Sequence, residues 1–274
     1  MKPFELKSNV HWIGALHPDL RVFDIIMHTK NGTTYNSYLI KDEKTAIIDT
    51  VKGKFSDQYL AHIESLVAFE KIDYIIVQHN EPDHSGALLE LLRVAKNAQI
   101  VSANVAVKYV NNILNKDVDV LGVKNNHTLT LGQKTLQFIT APYLHWPDTM
   151  MTYLVEDKIL FSCDVFANHF CDSHMFNDEI ARDFWPDYKN YFNSIMRPFK
   201  KNVRNGLKKI EPLEIEMIAP SHGPILRSDL HKFVNAYAEW SSPATENSTP
   251  KAIVYYATAH GNTEIMAHEV EKGL

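Results

Sequence analysis

Four short runs rich in Ile, Val, Phe and Leu each lead, within a few residues, to a histidine or an aspartate. They are Asp73-Tyr-Ile-Ile-Val-Gln78 before His79, Thr135-Leu-Gln-Phe-Ile-Thr140 before His145, Ile159-Leu-Phe-Ser-Cys163 before Asp164, and Ile215-Glu-Met-Ile-Ala219 before His222. Runs of this length and composition read as β-strands, so four ligand-type side chains stand at strand ends. Asp42-Glu-Lys44 separates two apolar runs, and Glu156-Asp-Lys158 separates residues 151–155 from 159–163, which predicts hairpins at both places. Helical periods fall at about 56–70, 85–96, 104–115, 188–210 and 228–240, with Pro198 expected to kink or split the fourth. Hairpins mixed with amphipathic helices imply two sheets packed together and covered on their outer faces. The expected fold class is therefore α/β, a four-layer α/β/β/α sandwich with the four ligand loops along one edge.

The chain has 274 residues, 45% hydrophobic and 22% charged, enough for one large core and the beginning of a second domain. The formal net charge is -5 and Lys and Arg are scattered, so no basic stripe follows a phosphate backbone, and nucleic acid is not an expected partner. The N-terminal stretch lacks a secretory apolar run, and no run approaches the roughly 20 apolar residues of a membrane helix. A cytoplasmic protein is expected. Cys163 and Cys171 are the two cysteines, with no CxxC spacing, and they read as free thiols.

Of the 14 histidines, His11, His17, His28, His62, His127, His231, His260 and His268 have no acidic or thiol companion at ligand spacing and are assigned surface or core roles. The segment His79-Asn-Glu81-Pro-Asp83-His84-Ser-Gly86 is different. Alternate residues of an extended loop point the same way, so His79 and Glu81 can share one metal while Asp83 and His84 turn to a second. Adding His145 to the first pair and His222 to the second gives two sets of two imidazoles and one carboxylate, leaving Asp164 to bridge. Two ferrous ions against three carboxylates and one bridging hydroxide or oxo group come out close to neutral, as a partly buried cluster requires. Two histidines and a carboxylate with an open position suit Fe(II), whereas thiolates would favour zinc or iron-sulfur clusters. Any one of these residues alone would be read as a cap or a packing group; their joint spacing points to a metal pair.

At this point the chain resembles the flavodiiron proteins, whose core has the metallo-β-lactamase fold. The likeness rests on Gly32-Thr-Thr-Tyr-Asn-Ser-Tyr-Leu39, His79 to Gly86, Leu144-His-Trp-Pro-Asp-Thr-Met150, Leu160-Phe-Ser-Cys-Asp164, His169-Phe-Cys-Asp172, Phe176-Asn-Asp178 and Ser221-His-Gly223. Hydrolases of this fold normally carry HxHxDH, and Glu81 in place of the second His resembles the family's mark of iron and redox use. The resemblance implies reduction of O2 to water or of NO to N2O, a bridging Asp164, and a head-to-tail homodimer. Trp146, Asp148, His169, Cys171 and Asp172 lie in segments that resemble the family's, which suggests that Asp148, His169 and Asp172 hold imidazoles in one tautomer, with packing the alternative for Trp146 and Cys171; Tyr191 and Tyr143 are candidates either to line the pocket as proton donors or to pack in the core. Many members carry Phe-His-Gly where this chain has Phe23-Asp24-Ile25, which leaves both O2 and NO open as substrates.

The expected organisation is a diiron domain over 1–243, a linker over 244–250, and an incomplete flavodoxin-like segment over 251–274. That last segment reads as a strand over Ala252-Ile-Val-Tyr-Tyr-Ala257, then a phosphate loop and a helix. Thr258, Asn262 and Thr263 are the expected FMN-phosphate contacts, provided that the domain is completed, since a flavodoxin-like domain needs on the order of 100 residues. Three functions follow: an O2 or NO reductase fed by a flavoprotein, a rubredoxin or a flavodoxin domain; an oxygen-binding diiron sensor reporting to a signalling partner; and a binuclear zinc hydrolase, against which Glu81 argues.

Overall fold

The structure is a computed structural model that describes residues 1–25, 27–243 and 249–274. It divides into two compact units, Met1–Ser242 and Pro243–Leu274. Of the linker expected over 244–250, residues 244–248 lie outside the described residues.

The first unit holds a seven-stranded and a five-stranded sheet. In the seven-stranded sheet the order is Phe4–Lys7, Val10–Trp12, Tyr38–Ile40, Thr45–Ile48, Ile72–Val77, Gln99–Ala103 and Val120–Val123. The first three pairings are antiparallel and the last three parallel. In the five-stranded sheet the order is Thr128–Thr130, Thr135–Thr140, Met150–Leu154, Ile159–Cys163 and Met217–Pro220, antiparallel until the last pair, which is parallel. Both expected hairpins form, joining Tyr38–Ile40 to Thr45–Ile48 and Met150–Leu154 to Ile159–Cys163.

Side-chain alternation along the strands creates the layers, because successive residues of a strand point to opposite faces. Ala46, Ile48, Ile76, Phe138, Ile159, Phe161, Met217 and Ala219 pack together between the sheets. Their neighbours Ile47, Ile75, Val77, Leu160 and Ile218 point outward and are buried with helical side chains such as Tyr59, Leu91, Val110, Val203 and Tyr237. Burying side chains of this size stabilises by roughly 1.5–3 kcal/mol each, so this double core is what holds the strand ends in register.

The helices are Ser56–Glu64, Pro82–Ser85, Leu88–Val94, Val107–Leu114, Trp185–Tyr191, Lys200–Ile210 and Leu230–Trp240. The long period over 188–210 is split, with a π turn at Phe192–Met196 and a 3-10 turn at Arg197–Phe199 around Pro198, which cannot supply a helical N–H. In the second unit a helix covers Asn262–Lys272. The strand expected over Ala252–Ala257 is not formed: residues 251–258 lie outside regular secondary structure. A strand exists only through hydrogen bonds to a neighbour, and no described residue offers it one. No described helix is long and apolar enough to cross a membrane.

Candidate metal centre

Antiparallel neighbours make Thr135–Thr140, Ile159–Cys163 and Met217–Pro220 run in one direction, so their C-terminal ends share one edge of the smaller sheet. Strand Ile72–Val77 of the larger sheet delivers its C-terminal loop to the same place. The loop turns into the short helix Pro82–Ser85, with Pro82 at its first turn, where a missing N–H costs nothing. Asp83 and His84 ride on that turn.

All seven side chains singled out by the sequence converge there. Glu81 Oε2 lies 3.1 Å from both His79 Nε2 and His145 Nε2. Asp83 Oδ2 lies 3.1 Å from His222 Nε2, and Asp83 Oδ1 lies 3.7 Å from His84 Nε2. Asp164 stands between the two groups and divides its oxygens. Its Oδ2 faces His145 and His79 at 3.6 and 3.8 Å, and its Oδ1 faces His84 and His222 at 3.3 and 3.5 Å.

The set fits metal ions. Bonds of about 2.0–2.2 Å to N and O donors place neighbouring donor atoms about 3–3.5 Å apart, close to the separations found. Asp83 Oδ1, Asp164 Oδ2 and both ring nitrogens of His84 are buried with no hydrogen-bond partner, and orphaned buried polar atoms of this kind call for a ligand. His79 with Glu81 and His145, and Asp83 with His84 and His222, each cluster tightly enough to hold an ion.

Protons take the place of cations in the metal-free electrostatics. Burial alone would depress His79, but hydrogen bonds donated by its ring to Asp148 and Glu81 outweigh it and raise the imidazole to about 9. His84 is pushed up in spite of burial by Asp164 and Asp83, and His222 by Asp83. Conversely, burial would raise Asp164 and Asp83, yet His84 and the other imidazoles hold both down. Three carboxylates beside four imidazoles are thus poised to exchange protons for metal.

A second ring of groups orients the imidazoles. Asp148 accepts from His79 Nδ1 at 3.2 Å and from the Asn80 backbone N–H at 2.8 Å. His222 Nδ1 donates to the Thr34 carbonyl at 2.6 Å. Asp49 Oδ2 lies 3.6 Å from His84 Nδ1 and is held by Gln78 and Ser221. The hydrogen bonds made by His79 and His222 fix the tautomer of each ring, whereas the His84–Asp49 separation is too long for one. Thr34 and Asp49 were not singled out from sequence. Asp49, directly after strand Thr45–Ile48, carried the same strand-end signal as the others.

The remaining candidates separate. Tyr191 donates its hydroxyl to Asp164 Oδ1 at 2.9 Å. His169 lies beside His222, with ring centroids 5.3 Å apart, and contacts Thr33 Oγ1. Trp146 meets His79 edge-on at 5.0 Å. Tyr143 is exposed and stacks on Phe199, and Cys171 is buried with its carbonyl bound by Arg182. Asp172 pairs with Arg182 and His174, so the supporting role expected for it at the centre is not found. Asp24 stands near the centre instead: burial and then Glu81 raise its carboxyl to about 6. In the second unit Thr258, Asn262 and Thr263 are exposed at the start of helix Asn262–Lys272, and Thr258 Oγ1 caps the Gly261 N–H at 2.8 Å.

A family model described as "ODP family beta lactamase" matches residues 33–223. The flavo-diiron protein FprA2 of Clostridium acetobutylicum is 45% identical over 283 residues, covering 100% of this chain and 70% of that protein. The chain belongs to the flavodiiron protein family. The type A flavoprotein of Rhodobacter capsulatus is 40% identical over 99% of the chain and 64% of its own length. Among solved structures, the flavodiiron protein of Giardia intestinalis superposes with a TM-score of 0.85 at 33% identity, covering 88% of this chain and 59% of that one. Rubredoxin oxygen:oxidoreductase of Desulfovibrio gigas gives 0.84 at 31% identity, covering 88% and 61%. The chain thus spans about two thirds of the length of these flavodiiron relatives, and its two-sheet sandwich is their metallo-β-lactamase-like fold.

Proposed function

We propose that this chain carries the dinuclear iron centre of an O2 or NO reductase that receives electrons from a flavin-bearing domain, a flavoprotein or a rubredoxin. The observation that carries the reading is the divided carboxylate of Asp164, with one oxygen toward His79 and His145 and the other toward His84 and His222. In this reading His79, Glu81 and His145 hold one ion, Asp83, His84 and His222 the other, and Asp164 both. Two ferrous ions held there would supply electrons to a bound O2 or NO.

The side chains do the rest. Three carboxylates balance the cationic charge, while Asp148 and the Thr34 carbonyl fix the ring nitrogens that face inward. Tyr191 keeps a proton on its hydroxyl beside Asp164, because burial and that carboxylate both oppose ionisation. His79, His84, Asp164 and His222 are buried, whereas the side chains of His145 and Glu81 keep 15% and 11% of their surface exposed and leave the centre an opening on that side. Thr258, Asn262 and Thr263 would take the phosphate of FMN in a completed flavodoxin-like domain.

The test is metal analysis with gas-uptake measurements. Protein made anaerobically with iron and zinc both present should bind about two iron atoms per chain. It should consume O2 or NO at a sustained rate only when a reduced flavoprotein or rubredoxin is added. A stable dizinc form that hydrolyses esters and ignores both gases would overturn the reading. Binding of O2 without sustained turnover under any donor would leave an oxygen sensor instead.

A further inference from the structure

The two half-sites account for one ring nitrogen of His84 and leave the other. Nε2 faces Asp83 and Asp164, whereas Nδ1 faces away from them, is buried and has no hydrogen-bond partner. Asp49 Oδ2 lies 3.6 Å from it, and the sulfur of Cys163 closes the set. One donor atom from each of Asp49, His84 and Cys163 lies within 4.8 Å of the other two. All three residues are buried, and the cysteine is a free thiol.

Local backbone geometry delivers this triad. Asp49 follows strand Thr45–Ile48 and Cys163 ends strand Ile159–Cys163, and each has φ +54, a strained conformation for a residue with a Cβ. The pairing of Ile159–Cys163 with Met217–Pro220 also shifts register between Phe161 and Cys163, a device that re-aims a side chain. Asp49 is held in place by Gln78, whose backbone N–H donates to Oδ1 at 2.7 Å and whose Nε2 donates to Oδ2 at 3.2 Å.

Packing alone would explain a buried cysteine. It does not explain a buried imidazole nitrogen turned toward a carboxylate at a distance too long for a hydrogen bond and close to that between two ligands of one ion. The donor types select the ion. Thiolate, imidazole and carboxylate together suit zinc, with a fourth position open to water, and the thiolate turns the preference away from iron. Zn2+, the Asp49 carboxylate and a Cys163 thiolate sum to zero charge, as full burial requires.

We propose that Asp49, His84 and Cys163 form a third metal site, for a thiolate-seeking divalent cation such as zinc, directly behind the metal pair. His84 joins the sites as a bridging imidazolate, with Nε2 toward the pair and Nδ1 toward the third ion. In protein that already holds its pair, each zinc bound displaces two protons, one from the Cys163 thiol and one from His84 Nδ1. The site is independent of which gas the pair reduces.

Cadmium is the probe, because it takes the same ligands and its bond to a thiolate absorbs in the ultraviolet. Reduced, metal-free protein refolded with excess Cd2+ and then desalted meets no barrier of burial to entry. It should retain about three cadmium ions per chain with a thiolate-to-cadmium band, against about two and no band in Cys163→Ser. Cys171→Ser should behave as wild type. Asp49→Asn keeps the thiol and should lose the third ion to a chelator that wild type resists, so the outcome does not hang on whether Cys163→Ser folds. In iron-loaded protein, calorimetry in buffers of different ionisation enthalpy should show about two protons released per zinc. Two cadmium ions without a band, or a band that survives in Cys163→Ser, would overturn the third site and leave the pair standing. Failure to bind any cadmium would overturn both.

Discussion

At the scale of single residues, Asp164 is the group on which both halves of the centre depend. His145 faces only one half, through Glu81 and Asp164 Oδ2. Asp164→Ala should therefore lower bound metal well below the level left by His145→Ala, measured by elemental analysis of protein purified without oxygen. Equal metal in Asp164→Ala and wild type would show that the carboxylate does not bridge. His79 sets a pH dependence. Its imidazole is raised from 6.5 to about 9 in the metal-free fold. A raised histidine stabilises the folded state fully below 6.5 and loses that contribution as pH climbs through about 9. Metal binding must expel that proton, so apparent metal affinity should increase with pH from 6.5 to about 9 in competition titrations with a chelator. A flat profile across that window would mean that His79 is not a ligand. The seven converging side chains were legible in the sequence because each follows a strand or sits in the dense segment His79 to Gly86. Thr34 was not, because it meets His222 188 residues later through a carbonyl, which no side-chain pattern reveals.

At the scale of elements, the strand ends are positioned by turns that tolerate little change. Gly223, next to His222, has φ +77, and a Cβ there would lie 2.6 Å from the Asn168 carbonyl oxygen and 2.7 Å from its side chain. Gly223→Ala should cost roughly 1–3 kcal/mol, read as a lower midpoint of denaturant unfolding. It should also weaken the half-site of Asp83, His84 and His222 more than the other. A stability equal to wild type would show that the turn relaxes freely. The hairpins, the helical periods and the split at Pro198 could all be read from sequence, since each depends on local pattern or local chemistry. The absent strand over Ala252–Ala257 could not, because strand formation there depends on a partner and not on the apolar run.

At the scale of the whole molecule, the two units differ in what they bury. Both clusters that line the sandwich belong to Met1–Ser242. Among the described residues of Pro243–Leu274 only Ala267 is buried, while Ile253, Tyr255, Ile265 and Met266 are exposed. A chain ending at Ser242 should therefore keep its thermal midpoint and its metal content, checked by calorimetry and elemental analysis, and a large loss of either would refute the self-sufficiency of the first unit. The arrangement of the centre has a mechanical side as well. His79, Glu81, Asp83 and His84 come from the larger sheet, and His145, Asp164 and His222 from the smaller, so each ion would be gripped from both sheets at once. A ligand that binds only the closed sandwich stabilises it by mass action, about 4 kcal/mol at a thousandfold excess over its dissociation constant. Metal in this protein would then rivet its two halves together, and stripping it should let the sheets breathe apart first at the edge where the loops meet.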